Sequence, residues 1–309
     1  MQLLGEIPAL PALGNRIPVR LTTFGTGVHL ATAGLPDATH QLVNVLGRPF
    51  LVHLSERDRY ISQSLQADGY WEFAETAVLS SMIRAGGTVL DLGANIGYYT
   101  VQMARLIGNT GVVYAAEPEP TNFQLLVVNS LLAAVHESDL GRFELQRFAV
   151  GATCGPIQLQ VAVENLGLHS LHWKSNSGGR SIDVPSFSLD RLRFGGETSA
   201  VITRPIDFIK ADTQGAELDI LRGGERTIAA DRPNLLLEFE PYISGEERCG
   251  EILDWLNTHG YDRLRLFYAN ETQRLRMLEQ LNQIVTPAQV ERRLRNGELG
   301  AYCSLFAQP

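Results

Sequence analysis

Gly87-Thr88-Val89-Leu90-Asp91-Leu92-Gly93-Ala94-Asn95-Ile96-Gly97-Tyr98-Tyr99-Thr100 constrains the fold more tightly than any other stretch of the chain. Val89, Leu90 and Leu92 form a short apolar run that reads as a buried strand. The Gly93-Ala94-Asn95-Ile96-Gly97 turn follows it, and Tyr98 to Ile107 reads as a helix that starts at once. Strand, glycine turn and helix N-terminus together build a nucleotide-sized notch at the carboxyl end of a parallel sheet. Asp91 is expected at the lip of that notch. Further on, Gly111-Val112-Val113-Tyr114-Ala115-Ala116-Glu117 gives a second strand ending in an acid, which is placed to accept both ribose hydroxyls of an adenosine ligand or, failing that, to cap the helix that follows.

The glycine spacing narrows the ligand. A dinucleotide fingerprint needs Gly-x-Gly-x-x-Gly, whose second glycine lets the backbone approach a pyrophosphate. Gly93 fits the first position, but Asn95 replaces the second and Tyr98 the third. A ligand with a ribose, a positive charge and no phosphate suits this loop and Asp91 better than NAD or FAD does. S-adenosylmethionine has those properties, with S-adenosylhomocysteine as its demethylated product.

Strands alternate with helices along most of the chain. After Glu117, Pro118 and Pro120 suit the first turn of a helix. Phe123, Val127, Leu131 and Val135 give that helix an apolar stripe, and Phe143 to Val150 alternates as one strand. Ile157 to Val161 is expected to add a hairpin. Ile206 to Asp212 reads as a fourth strand, followed by one helix carrying Leu218, Leu221 and Ile228. Asn234 to Glu240 and Arg263 to Tyr268 read as the fifth and sixth strands. Thr286-Pro287-Ala288-Gln289 is a capping box with proline at the first helical position. The pattern predicts an α/β, doubly wound, mostly parallel sheet. Ahead of it, strand-like segments between Ile17 and Leu54 are punctuated by glycine and proline, as in hairpins. Residues 1–58 are therefore read as a small β-rich N-terminal extension and 59–309 as the main domain.

Composition excludes several functions. With 34 acidic against 26 basic residues and a net charge of −8, the chain lacks an electrostatic footprint for nucleic acid or an anionic membrane. Cys154, Cys249 and Cys303 are scattered and show neither metal-ligand spacing nor a disulfide framework, which favours a reducing setting. The first eighteen residues carry Glu6 and three prolines without a basic start, unlike a signal peptide. No apolar run reaches membrane-spanning length. A cytoplasmic protein acting on a small molecule is expected; a homo-oligomer is compatible with all of this.

Several segments taken together resemble the FkbM-type methyltransferases, a class I S-adenosylmethionine-dependent family. They are Asp91 to Tyr99, Glu117-Pro118-Glu119-Pro120-Thr121-Asn122 with Asn129, Ala149-Val150-Gly151, Ser188 to Leu192, and Ile209 to Gly224 with Pro233 to Glu240 behind it. The resemblance runs in order over about residues 60–240. It implies a seven-stranded Rossmann-like methyltransferase sheet with one antiparallel strand, for which Ala301–Ala307 is the candidate. It also implies O-methylation of a hydroxyl on a polyketide, sugar or similar natural-product intermediate. Gln214 departs from the pattern, standing where many members carry Glu.

Under that resemblance Asp91, Gly93, Asn95, Gly97, Tyr98, Glu117, Pro118, Asn122 and Ala149 are assigned to the cofactor. Asn122 and Asn129 also suit a role in tying loops together. Glu72 and Glu75 would reach the methionyl amine from the preceding helix, or else lie on its solvated face. Methyl transfer is an in-line displacement, and a base accepting the hydroxyl proton typically adds about 10²–10⁴-fold. Asp212, at the end of strand four, is the first candidate for that base, paired with Lys210. Glu238 and Glu240 share one face of strand five; with Asp212 they would suit a divalent cation, but no further ligand accompanies them and a metal is not favoured. His169 and His172, beside Trp173 on a polar loop, are candidates for a base on a lid. The competing readings are transfer to nitrogen or to a glycan or peptide on the same fold, and a catalytically silent adenosine-binding partner subunit.

Overall fold

The computed structural model describes residues 19–24, 27–32, 40–54, 58, 60–161, 180–196, 200–268, 282–299 and 303–309. The chain divides into two compact units, Met1–Thr39 and His40–Pro309. In the first, β1 (Val19–Phe24) and β2 (Gly27–Thr32) pair as an antiparallel hairpin with Val19 opposite Thr32.

The second unit opens with another hairpin, β3 (His40–Val45) and β4 (Arg48–His53), closed by Leu46-Gly47. Both turn residues have positive φ, the geometry whose twist matches the paired strands. Next come α1 (Ile61–Ala67), α2 (Phe73–Met82), β5 (Thr88–Leu92), α3 (Tyr98–Ile107), β6 (Val112–Ala116), α4 (Pro120–His136) and β7 (Arg142–Gln146). A small sheet follows, from β8 (Ala149–Gly151), β9 (Gly155–Val161) and β10 (Arg180–Ser188), and leads into α5 (Leu189–Phe194). The chain then returns through β11 (Phe208–Ala211), α6 (Glu217–Gly223), α7 (Glu225–Asp231), β12 (Asn234–Glu238), α8 (Pro241–Ser244), α9 (Glu246–Thr258), β13 (Arg263–Tyr268), α10 (Pro287–Arg295) and β14 (Cys303–Gln308).

Seven strands form the central sheet in the order β13-β14-β12-β11-β5-β6-β7. Pairing is parallel except at β14, which runs antiparallel to both β12 and β13. This is the doubly wound sheet expected, with the antiparallel strand where the resemblance put it. Every residue of β5, β6 and β11 is buried, Asp91 and Lys210 included, as strands in a sheet covered on both faces are. The capping box at Thr286 and Gln289 forms, and Val290 and Leu294 of α10 are buried. Among the described residues no helix is long and apolar enough to cross a membrane.

Four local expectations change. Phe143 to Val150 is not one strand: β7 ends at Gln146, and β8 leaves the main sheet to pair with β10. The helix after β11 is two, α6 ending at Gly223 and α7 starting after Gly224; both positions need glycine, since a side chain there would collide with the Gly151 carbonyl and with Leu189. On α4, Val127 of the expected stripe is buried and Phe123 packs against the core, but Val135 is exposed, and Leu125, Leu126, Val128 and Leu132 are buried as well. A helix apolar nearly all round offers several stripes, and spacing alone does not choose among them. The β3-β4 hairpin, read with the N-terminal extension, belongs to the larger unit. Asn129 of α4 accepts from Leu51 N at 2.7 Å and donates to Leu51 O at 2.9 Å and Ile96 O at 2.7 Å, so one buried amide joins β4, the glycine loop and α4.

Candidate active site

Strand order reverses between β5 and β11: the chain winds from β5 outward through β6 and β7, then returns to β11 and winds the other way. The crevice at the carboxyl ends of these two strands is where doubly wound sheets place ligands. Its β5 side is the glycine loop. Gly93 N and Ala94 N both donate to Ala116 O at 3.0 Å, and Gly97, with φ of 90°, opens α3. Asn95 sits at φ 50° and its side chain accepts from Ile96 N at 2.8 Å, a short polar residue stabilising a left-handed turn.

Glu117 sits behind this loop. Its carboxylate accepts from Asn95 N at 2.8 Å and from Glu119 N at 2.9 Å, which fixes both the loop and the entry to α4. Glu119 is the helix cap, accepting from Asn122 N at 2.7 Å. Burial pushes the Glu117 carboxyl up to about 8, although the two backbone N–H groups pull the other way. Asp91 is not at the lip. It is fully buried under the loop, accepts from Thr100 Oγ1 at 2.5 Å, and its Oδ1 is buried with no hydrogen-bond partner among the described residues. Burial raises its pKa, while the nearby Lys210 charge lowers it.

On the β11 side lies an acidic pocket centred on Lys210. Lys210 Nζ donates to Asp212 Oδ2 at 2.8 Å and stands 4.4 Å from the centre of the Tyr99 ring. Desolvation alone would lower its pKa, but Asp212, Asp91 and Glu75 outweigh it and hold the pKa above the usual lysine value. Tyr99 OH reaches Glu72 Oε2 at 2.7 Å and Glu75 Oε2 at 2.9 Å. One hydroxyl hydrogen cannot serve both acids, so the cluster needs a further proton. Glu72, raised well above the carboxylate range by burial and then by Glu75, is placed to hold it. Ser304 of β14 donates to the other oxygen of Glu75.

The wall opposite is the loop after β11. Gln214, at φ 53°, donates through its backbone N to Glu238 Oε2 at 3.0 Å and through its side-chain amide to Glu238 Oε1 and Asp212 Oδ1. Glutamate in that position would bring a third carboxyl between two acids, whereas the amide supplies a donor to each of them. Glu217 closes the loop by accepting from Thr213 N at 2.7 Å and Gly215 N at 3.0 Å at the start of α6. Glu238 is pushed well up by burial and the Asp212 charge; the same causes lift Glu240 to about 8. Cys303 also lines this pocket, but its thiol donates to Phe239 O and burial raises its pKa, which leaves no nucleophilic thiolate. Among the described residues no group of three His, Cys, Asp or Glu is arranged to hold a metal ion.

A family model, the Methyltransferase FkbM domain, matches residues 91–263, more than half of the chain. The chain belongs to the FkbM methyltransferase family. Among solved structures, methyltransferase FkbM from Methylobacillus flagellatus is similar at 16% identity and a TM-score of 0.44, over 82% of this chain and 48% of that one. The FkbM chain described here thus spans about half the length of that protein. The TYW2 protein of M. jannaschii in complex with AdoMet is 12% identical with a TM-score of 0.40, covering 94% of this chain and 92% of that one. Aeropyrum pernix fibrillarin with natively bound S-adenosyl-L-methionine is 12% identical with a TM-score of 0.41, covering 91% and 89%. No curated protein matches.

Placed on this FkbM fold, the expected residues part into groups. Asp91, Gly93, Asn95, Gly97 and Glu117 gather at the glycine loop, with Pro118 half-buried between Glu117 and the α4 cap. Glu75, Lys210, Asp212 and Glu238 gather in the acidic pocket. Tyr98 is buried, with its hydroxyl 3.2 Å from Thr76 Oγ1. Asn122 ties structure together: its Oδ1 lies 2.8 Å from Nε2 of buried His53. The Ala149 side chain packs with Leu159 and Val184 in the small sheet. His169 and His172 lie outside the described residues. Sequence reasoning missed Tyr99 and Ser304. The signal for Tyr99 was its position, one helical residue past the loop.

Proposed function

We propose that the chain transfers the methyl group of S-adenosylmethionine to a hydroxyl of a small molecule. The observation that carries this reading is the adjoining of two half-sites at the sheet's switch point: a glycine loop backed by buried acids, and a pocket holding one buried lysine among carboxylates. The loop residues fit the cofactor. Gly93 and Gly97 keep the backbone open, Glu117 would take the ribose hydroxyls, and the unpartnered Asp91 Oδ1 and the Glu75 carboxylate would face the positively charged methionyl end. When bound, the cofactor supplies an electrophilic methyl carbon.

The chain's own residues do the rest. Lys210, kept cationic, fixes Asp212 at the mouth of β11. Asp212 would orient the acceptor hydroxyl and take its proton, while Gln214 holds Glu238 beside it. Replacing Asp212 with asparagine preserves the shape and removes the base. Turnover is expected to fall roughly 10²–10⁴-fold, while calorimetric S-adenosylhomocysteine binding persists. Binding with no turnover on any acceptor in the unaltered protein would favour the silent partner subunit instead.

The Glu117 assignment makes a pH prediction. A carboxyl raised from 4.5 to about 8 is protonated at neutral pH, and ribose hydroxyls donate best to the ionised form. Binding should therefore release a proton, with affinity rising by up to about tenfold per pH unit between pH 6 and 8. Calorimetry at pH 7 in buffers of different ionisation enthalpy measures that proton directly. No release, or affinity flat from pH 6 to 9, would take Glu117 out of the ribose site.

A further inference from the structure

We infer that the pocket beyond β11 holds an ammonium group of the methyl acceptor, anchored by Glu240, so that the acceptor is an amino alcohol or amino sugar methylated on a hydroxyl near its amine. This rests on the hydroxyl-methyltransferase reading above and adds the substrate class to it.

The neighbouring carboxylates already have hydrogen donors. Asp212 takes Lys210 and Gln214, both oxygens of Glu238 take Gln214, and Glu75 takes Tyr99 and Ser304. Glu240 differs. It lines the pocket and is only 7% exposed, yet its Oε2 is buried with no hydrogen-bond partner among the described residues. Its position before α8 does not account for it. The backbone carbonyl of Glu240 accepts from Ile243 N and Ser244 N, but the side chain makes no cap. Buried polar atoms without partners are rare and costly, and a missing ligand donor is one reason for them.

The charge of the missing donor follows from what surrounds it. Five acidic residues line the pocket against the single cation of Lys210. An ammonium brings three donors and one positive charge, and its bonds to carboxylates are charge-assisted. It would displace the proton that the Asp212 and Glu217 charges help to hold on Glu240. The methyl donor's own amine is assigned above to Glu75, on α2, which already takes Tyr99 and Ser304. Glu240 follows β12, two strands from Asp91 across β11, roughly 10 Å at normal strand spacing, and is left to the acceptor.

The test compares matched probes on the full chain saturated with S-adenosylhomocysteine. Glucosamine and 2-aminocyclohexanol are titrated against glucose and 1,2-cyclohexanediol, with the wild type and with Glu240→Gln. The amines are expected to bind at least about tenfold more tightly than their neutral partners, and the preference should vanish in the variant. Equal binding, a preference for the neutral probes, or no binding of either class overturns the inference in the wild type alone, whatever becomes of the variant. A product methylated on the amine nitrogen overturns it too, since the amine would then stand at the methyl and not at Glu240. S-adenosylhomocysteine binding is measured first: its absence sinks the methyltransferase reading, whereas its presence without an amine preference sinks only this one.

Discussion

Replacing Lys210 with methionine should cost about 3 kcal/mol or more of folding stability at pH 8 and abolish turnover. The lysine is buried at 2% exposure, with Asp212 bonded to it and Asp91 and Glu75 close enough to hold its proton. Removing one partner from such a group strands the others, and stranded buried charge is far more costly than a missing surface pair. The sign of the pH dependence follows. A lysine whose folded pKa is raised stabilises the fold at every pH below the unfolded value, so the wild type keeps this contribution across the working range. Without it, the buried Asp91 loses the neighbouring charge that favours its ionised form. Asp91, already raised by burial, rises further and takes up a proton that the unfolded chain does not hold near neutrality. Lys210→Met should therefore regain stability as pH falls from 8 towards 5, more steeply than the wild type does. Urea melts at pH 5, 6.5 and 8 check this. A variant as stable as the wild type at pH 8 would mean that water, not Lys210, compensates these acids.

The fold was legible because its signals are local and repeated. The strand-glycine-helix run at Val89 to Ile107, the prolines opening α4 and the capping box at Thr286 each specify one element with little help from distant contacts. Misreadings fell where tertiary contact decides. Arg147 and Phe148 separate two strands that belong to different sheets, and alternation cannot show which sheet a strand joins. Of the candidate site, the chain order shows residue types alone, acids at or near the carboxyl ends of four adjoining strands: Asp91 in β5, Glu117 after β6, Asp212 after β11 and Glu238 in β12. It does not show their state. Nothing in the spacing reveals that Asp91 lies beneath the loop, that Glu117 spends two bonds on the backbone, or that Glu75 turns inward to Ser304 on β14, far along the chain. Those facts follow from packing, and burial raises the pKa of both Asp91 and Glu117.

Gly93→Ala is expected to lower turnover by on the order of 100-fold, the penalty for displacing a positioning element by about an ångström, and to weaken S-adenosylhomocysteine binding with it. Two costs combine at this residue. Its φ of 82° lies in the left-handed region, which costs a side chain about 1–2 kcal/mol. In addition, a Cβ there would sit 1.9 Å from the Asp212 carbonyl oxygen and 3.2 Å from Thr213 Cγ2. The strain cannot be relieved by sliding either loop. Gly93 N is bonded to Ala116 O, and Asp212 N to Leu92 O, so each side is pinned by the strand beneath it. The glycine loop and the Asp212 loop must therefore separate, which moves the cofactor side and the acceptor side together. Gly47→Ala is the control. Its φ of 83° is nearly the same, but nothing lies within 4 Å of the added atom, so it should pay the conformational cost alone and leave binding intact. If Gly93→Ala behaves like Gly47→Ala, the contact between the two loops does not set the geometry of the site.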